Sequence, residues 1–289
     1  MLNNLYSKSF SFLNDKDILL FKQKYFNSIF VIKYGGSVMR DNHLKLKLIE
    51  DLALLYSLGI KLILVHGGGP FINDWLLKFN IEPKFQDGIR ITDYKTMEIV
   101  EMVLSGQINK QLVSLLCNKN ILAVGLSGKD SNLIKASPKF NSSNNFVGNV
   151  DFVDNKILNL LLSNNYVPVV ASVATGLNNQ TYNINADTVA GAIAKSVKAE
   201  KLILLTDTPG IMSDVSDSST LFKTLTISQV GKLKKNNIIS GGMLPKVDCC
   251  IDALLNNIRS THIIDGRIEH SLLYEILTFH RLGSMIVLN

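Results

Sequence analysis

The chain has 289 residues, of which 46% are hydrophobic and 19% charged, and a formal net charge of +6 at pH 7. That is enough apolar material for a sizeable core, while no uninterrupted apolar run reaches the roughly 18 residues of a membrane helix, which excludes a membrane-spanning class. The positive excess does not make a nucleic-acid binder: the dense basic run Lys232-Leu233-Lys234-Lys235 lacks interleaved aromatics and reads as a solvated face.

The three cysteines, Cys117, Cys249 and Cys250, have no metal-ligand spacing and no disulfide framework, which fits a reducing compartment. The N-terminus has no signal-peptide pattern, and Asp15 and Asp17 speak against a transit peptide. The expectation is a protein that works where it is made.

In chain order, Phe10–Tyr25 reads as a helical prelude. Ile29–Tyr34 is a β-branched apolar strand ended by Gly35-Gly36. Helical periodicity runs through Leu44–Leu58. The next strand, Lys61–Val65, ends in Gly67-Gly68-Gly69-Pro70, and a helix covers Phe71–Phe79. A hairpin-like turn around Gly88 ends at Arg90, and Asp93 caps a long helix to about Asn118. Leu122–Val153 reads as short strands and turns. A helix (Asn155–Leu162), a strand (Val167–Ser172) and a hairpin (Tyr182–Asn185) lead into the helix Ala186–Val197. The strand Lys201–Thr206 precedes a polar loop. Helices at Ser228–Lys235 and Lys246–Asn257, a strand at Thr261–Asp265, a helix at Ser271–Phe279 and a strand at Met285–Leu288 close the chain. The alternation predicts a three-layer αβα sandwich around one open, mostly parallel sheet with two lobes.

Two strands end in glycine clusters, Lys33-Tyr34-Gly35-Gly36-Ser37 and His66-Gly67-Gly68-Gly69-Pro70. Glycines at strand ends let backbone N–H groups approach an anion, and a following helix adds its dipole. Neither cluster has the P-loop or dinucleotide-binding spacing, which argues against a Rossmann dehydrogenase. Lys33 ends an apolar strand, where an ammonium is costly unless an anion faces it. Asn183-Ile184-Asn185-Ala186-Asp187 reads either as an Asx turn with a helix cap or as a polar cluster on one side of a hairpin. Thr206-Asp207-Thr208-Pro209-Gly210 and Gly241-Gly242-Met243-Leu244-Pro245-Lys246 put further small and polar groups where α/β folds bind ligands. His66 reads as a satisfied histidine anchoring the glycine turn rather than as a base.

Taken in order, the motifs KYGGS, HGGGP, DGIR, MEIVEMVLSGQINKQLV, NINAD, LTDTPGI, GGMLPKV and IIDGR resemble the amino-acid kinase superfamily, and most closely its N-acetylglutamate kinase family. The resemblance covers Val31 to the C-terminus. It implies an N-terminal lobe, to about residue 180, for N-acetyl-L-glutamate and a C-terminal lobe for ATP, with Mg²⁺ carried by the nucleotide. Lys33 and Lys246 match the lysines that stabilise the transferring phosphoryl group, and Asp187 the carboxylate that orients them. Gly68 and Gly69 match backbone donors to the substrate, and Arg90 and Asn183 the groups that hold its α-carboxylate end. Gly35 and Gly36 match further backbone donors, and Thr206, Asp207 and Gly210 lie in the nucleotide segment. No metal ligand among the side chains is implied.

Some members carry an N-terminal helix, form hexamers and are inhibited by arginine. Residues 1–28 resemble that regulatory element ahead of a kinase domain at 29–289, with Phe21 where a tyrosine is usual. Ile18, Leu19, Phe21 and Tyr25 are expected to pack between subunits. Glu275, Gly283, Ser284 and Met285 resemble the arginine pocket. The Asn- and Lys-rich composition and the missing transit peptide fit a gene resident in an algal plastid, with bacterial cytoplasm as the alternative; members of the family from oxygenic phototrophs bind a PII signalling protein, so the resemblance implies that partner. Two other readings stand beside this one: a different kinase of the superfamily, and a non-catalytic arginine-sensing scaffold. Neither nucleic acid nor membrane is expected as a partner.

Overall fold

In the computed structural model, which describes residues 10, 12–86, 88–278 and 280–289, strands and helices alternate along the chain. The first half runs α1 (Asp15–Tyr25), β1 (Ile29–Tyr34), α2 (Asn42–Ser57), β2 (Lys61–His66) and α3 (Gly69–Lys78). The hairpin β3 (Phe85–Gln86) and β4 (Ile89–Arg90) follows, then α4 (Tyr94–Glu101), a π-helical stretch (Met102–Ile108) and α5 (Asn109–Cys117). The middle holds β5 (Ala123–Ser127), β6 (Ile134–Pro138), β7 (Gly148–Val153), α6 (Lys156–Ser163), β8 (Val167–Ala171), β9 (Val173–Thr175) and β10 (Thr181–Asn183). The last part runs α7 (Ala186–Ser196), β11 (Lys201–Thr206), β12 (Thr224–Thr226), α8 (Ile227–Lys235), α9 (Met243–Leu255), β13 (Ser260–Asp265), α10 (Ser271–Leu277) and β14 (Ser284–Val287).

The central sheet has eight strands in the order β12-β14-β13-β11-β1-β2-β8-β5. All its neighbours pair in parallel except β13 with β14. Alternate residues of the inner strands feed two cores. Phe30, Ile32, Leu62 and Leu64 pack on one face, and Val31, Ile63 and Val65 on the other. The fold is therefore the three-layer αβα sandwich. The period of two also decides where the strand-end side chains go. Lys33 shares the face of Val31, which α7 and α9 cover. His66 shares the face of Leu64, which α5 covers.

Three expectations are revised. The middle section does not simply extend the large sheet: β10-β9-β6-β7 form a second sheet of four strands. The prelude becomes helical only at Asp15, because Asn14 caps it by accepting from the Asp17 N–H at 2.8 Å. Phe10 and Phe12 instead pack against His270 and Tyr274. Finally, Phe21 and Tyr25 are buried within their own chain against Phe30, whereas Leu19 and Leu20 are exposed. The helix thus uses Phe21 and Tyr25 to close its own core, and Leu19 remains of the residues expected to face a neighbour. The expected N-terminal element begins at residue 1, and residues 1–9 and 11 lie outside the described residues, as does Phe279 at the expected end of α10.

Candidate active site

Asn185 ends β-conformation and starts α7. Its side chain accepts from the N–H groups of Asp187 at 2.9 Å and Thr188 at 3.2 Å. The Asx cap and the functional cluster are thus one feature: the cap places Asp187 in the first turn, where the helix dipole favours its negative charge. Lys33 reaches Asp187 Oδ1 at 2.9 Å, and Lys246, from the first turn of α9, donates to Oδ2 at 2.7 Å. The Lys33 contact is an ion pair without hydrogen-bond alignment. Burial alone would push the Asp187 carboxyl up; the charges of Lys33 and then Lys246 outweigh it and hold it down at about 2. Two ammoniums share one carboxylate, so the cluster keeps one positive charge in excess.

These three side chains form part of the wall of a cavity of about 840 Å³. On its N-terminal side are Gly68, Gly69, Arg90 and Asn183. Arg90 is buried, stacks on Phe85 with its Cζ 4.7 Å from the ring centroid, and donates from Nη2 to Gly69 O at 3.2 Å and Asn73 Oδ1 at 2.5 Å. Its Nη1 is buried with no partner among the described residues. Burial brings the Arg90 pKa down to about 10, still charged at neutral pH. Arg90 lines the cavity, so its guanidinium brings a positive charge to that wall, which suits an anionic ligand. Asn183 donates to Thr92 Oγ1 at 3.2 Å, which fixes its amide at the cavity edge.

Gly35, Gly36, Asp207 and Gly210 line the C-terminal side. Gly36 has φ of 91°, a conformation that favours glycine, and a Cβ there would lie 3.4 Å from the Asp207 carboxylate. Asp207 accepts from Ser37 Oγ at 3.3 Å. Thr206 is placed differently. It is buried at the end of β11, its carbonyl accepts from Gly266 N–H at 2.8 Å, and it does not line the cavity. Among the described residues, no three His, Cys, Asp or Glu side chains gather as a metal-binding group.

Glu275, Gly283, Ser284 and Met285 come together elsewhere, beside β13. Glu275 is buried; Oε1 lies 2.9 Å from His262 Nδ1, and Oε2 accepts from the N–H groups of Leu282 at 3.0 Å and Gly283 at 2.9 Å. Of roughly four lone-pair sites on the carboxylate, three are filled by the chain itself. Ser284 Oγ accepts from Ile211 N–H at 2.9 Å, one residue beyond Gly210 of the cavity wall. Met285 lies in β14, in register with His262.

The sequence reading missed several neighbours. Lys201 is buried at the start of β11; its Nζ donates to Ser260 Oγ at 2.8 Å, lies 3.4 Å from His262 Nε2 and stands over the Tyr25 ring. Like Lys33, Lys201 is an ammonium on an apolar strand, a signal present in the sequence. Asn73 and Phe85, which orient Arg90, carry no such signal, because their roles depend on tertiary placement.

Residues 28–265 match the Amino acid kinase family. The acetylglutamate kinase of the red alga Gracilaria tenuistipitata var. liui is 60% identical, covering 94% of this chain and 96% of its own length. That of Thermosynechococcus vestitus is 49% identical over 94% of this chain and 92% of its own. Among solved structures, N-acetylglutamate synthase from Neisseria gonorrhoeae, complexed with coenzyme A and N-acetylglutamate, is similar with a TM-score of 0.82 at 21% identity. That likeness covers 94% of this chain, which spans 62% of the synthase, and shows the fold.

Proposed function

The chain belongs to the amino acid kinase family, with the acetylglutamate kinases as its close relatives, and we propose that it phosphorylates the side-chain carboxylate of N-acetyl-L-glutamate with ATP. The product is N-acetyl-L-glutamyl 5-phosphate, a step of arginine biosynthesis. The observation that carries this reading is the pair of lysines, from opposite lobes, meeting on Asp187 in the wall of one cavity.

Phosphoryl transfer asks a protein for alignment and charge stabilisation more than for covalent help. The substrate carboxylate, with an ordinary pKa of about 4, is already ionised and attacks the γ-phosphorus without a general base. Its oxygen forms the new P–O bond as the bond to the β-phosphate oxygen breaks and ADP leaves. Lys33 and Lys246 face the charge that spreads over the transferring group, and Asp187 holds the two like charges in register before it arrives. Arg90, through its guanidinium charge, and Asn183 hold the carboxylate that does not react. Backbone N–H groups at Gly68 and Gly69 receive the reacting end. Gly35, Gly36, Asp207 and Gly210 offer the nucleotide its backbone and polar contacts, with Thr206 behind them as support for Asp207. Mg²⁺ on the phosphates would neutralise part of their charge, and Asp207 is the cavity carboxylate not tied to a lysine.

The cluster at Glu275 supports a second, regulatory reading: arginine as feedback inhibitor, held by Glu275 and the Gly283–Met285 backbone beside the Ser284 link to Gly210. A hexameric ring and a PII signalling partner join this reading from the family resemblance. Relatives in red algae and cyanobacteria support a plastid or cyanobacterial origin, and among the described residues no helix is long and apolar enough to cross a membrane. The test is a coupled ADP-release assay with N-acetylglutamate beside glutamate, aspartate and uridylate. Turnover with N-acetylglutamate well above the other three is expected. Preference for any of the others would move the chain to another branch of the family, and no turnover would favour a non-catalytic scaffold.

A further inference from the structure

His66 and Asn109 are both buried and neither touches the lysine clamp. Asn109 opens α5, directly after the π-helical stretch. Its Nδ2 lies 2.8 Å from Val169 O, 3.3 Å from Leu126 O and 3.1 Å from His66 Nε2. Two of these neighbours are carbonyl oxygens at strands β8 and β5, and they can only accept. They therefore fix which end of the amide is nitrogen; of its two N–H groups, one is shared between the carbonyls of Val169 and Leu126 and the other is directed at His66. Asn109 Oδ1 has no partner among the described residues, which the two carbonyls make the cheaper of the two orientations.

The tautomer of His66 follows. Its Nε2 accepts from Asn109, so the proton sits on Nδ1, which donates to Gly67 O at 3.0 Å. The peptide unit from Gly67 to Gly68 is planar and trans, so its N–H points opposite to its C=O. Anchoring the Gly67 carbonyl on His66 thus aims the Gly68 N–H the other way. Gly67, Gly68 and Gly69 all line the cavity. The π-helical stretch serves the same loop from the other side: a Cβ on Gly68 would fall 2.3 Å from Ile108 Cδ1 and 2.6 Å from Leu104 Cδ2. The expanded turn brings these two side chains and Asn109 to the glycine loop together.

We propose that Asn109 and His66 are positioning residues, a two-step hydrogen-bonded relay that aims the Gly68 N–H at the substrate by fixing the His66 tautomer. This rests on the reading of the cavity as a carboxylate-phosphorylating site. Burial also pushes the imidazole down to about 4, only partly offset by the bond to Gly67, so it stays neutral at working pH.

The test has two arms. In the unmodified chain, ¹⁵N NMR of the His66 ring is expected to show protonated Nδ1 and bare Nε2, unchanged from pH 6 to pH 8. An Nε2-protonated ring or an imidazolium in that range overturns the relay. This arm needs no activity, so it separates failure of the relay from failure of the functional reading, which the wild-type assay with N-acetylglutamate decides. In the second arm, His66→Ala is expected to lower kcat about tenfold, less than the 10²–10³ of deleting a transition-state donor outright, with the nucleotide KM within about twofold. His66→Asn keeps an N–H where Nδ1 stands and is expected to restore most of the loss. An Asn variant no more active than the Ala variant at equal Tm would show that His66 only fills space.

Discussion

Lys246 donates to Asp187 at 2.7 Å across the junction of α9 and α7, while the same carboxylate holds Lys33 at the end of β1. Breaking a buried pair by removing one partner is far more costly than its net worth, because the other charge is stranded. Here a single anion holds two cations, and the leftover positive charge faces a cavity. The arrangement is poor as a stabilising device and apt as a preorganised receptor for an anionic transition state.

Arg90→Ala is expected to act on substrate KM more than on kcat. In the proposed function the Arg90 guanidinium holds a carboxylate that does not react, so its contribution is nearly the same in the ground state and the transition state. A charged hydrogen bond worth ~1.5–3 kcal/mol corresponds to about a ten- to hundredfold rise in KM. Arg90→Lys should rescue little, because it loses the planar fork and the stacking on Phe85. Initial-rate kinetics in N-acetylglutamate check this; an unchanged KM with collapsed kcat would move Arg90 into the chemistry.

Removing the chain before Asn27 strips Phe21 and Tyr25 from Phe30 and uncovers Lys201, over which the Tyr25 ring stands. On the proposed regulatory reading, arginine inhibition should disappear and the sedimentation coefficient should fall to that of smaller assemblies. A shortened chain that stays hexameric and arginine-sensitive would remove the regulatory role of α1.

Stability should fall on mild acidification. His66 and His262 sit near 4, pushed down by burial, against 6.5 when unfolded. The unfolded chain therefore binds more protons; this stability is complete above pH 6.5 and is lost as pH falls towards 4. Asp51 works the other way. Burial raises it to about 6 from 3.8, so the fold takes its proton first and gains between pH 6 and 3.8. Two histidines against one aspartate leave a net loss of ~4 kcal/mol over the window. The Asp187 contribution, depressed to about 2, is lost only below pH 3.8. Urea unfolding at pH 7, 5.5 and 4.5 measures the trend, and a midpoint that is flat or rises on acidification would contradict it.

Much of this was legible in the chain. The glycine-ended strands, the capped helices and the ammonium on β1 are local signals, and period-two alternation fixes which face each strand residue serves. Asp93 caps α4 as its position implied, accepting from Thr96 N–H at 2.8 Å. What could not be read is tertiary. The meeting of Lys33 and Lys246 on Asp187 was implied by the family resemblance and by nothing in the spacing, because it depends on strand order and no spacing reports that β11 lies beside β1. The second sheet escaped because β6, β7, β9 and β10 are short and interrupted by turns. The self-burial of Phe21 was hidden because an amphipathic helix looks the same whether its apolar stripe meets its own core or a neighbour. The π-helical stretch escaped because helical periodicity does not reveal one inserted residue.

Steady-state turnover of Lys33→Ala and Lys246→Ala, each assayed with saturating ATP and N-acetylglutamate, tests the central claim most directly. Each lysine is taken to stabilise charge that develops only as the phosphoryl group moves, so each loss should lower kcat by about 10²–10³ while KM for N-acetylglutamate shifts far less. Near-normal turnover in either variant would contradict the account, because the lysine concerned would then hold Asp187 without serving the reaction.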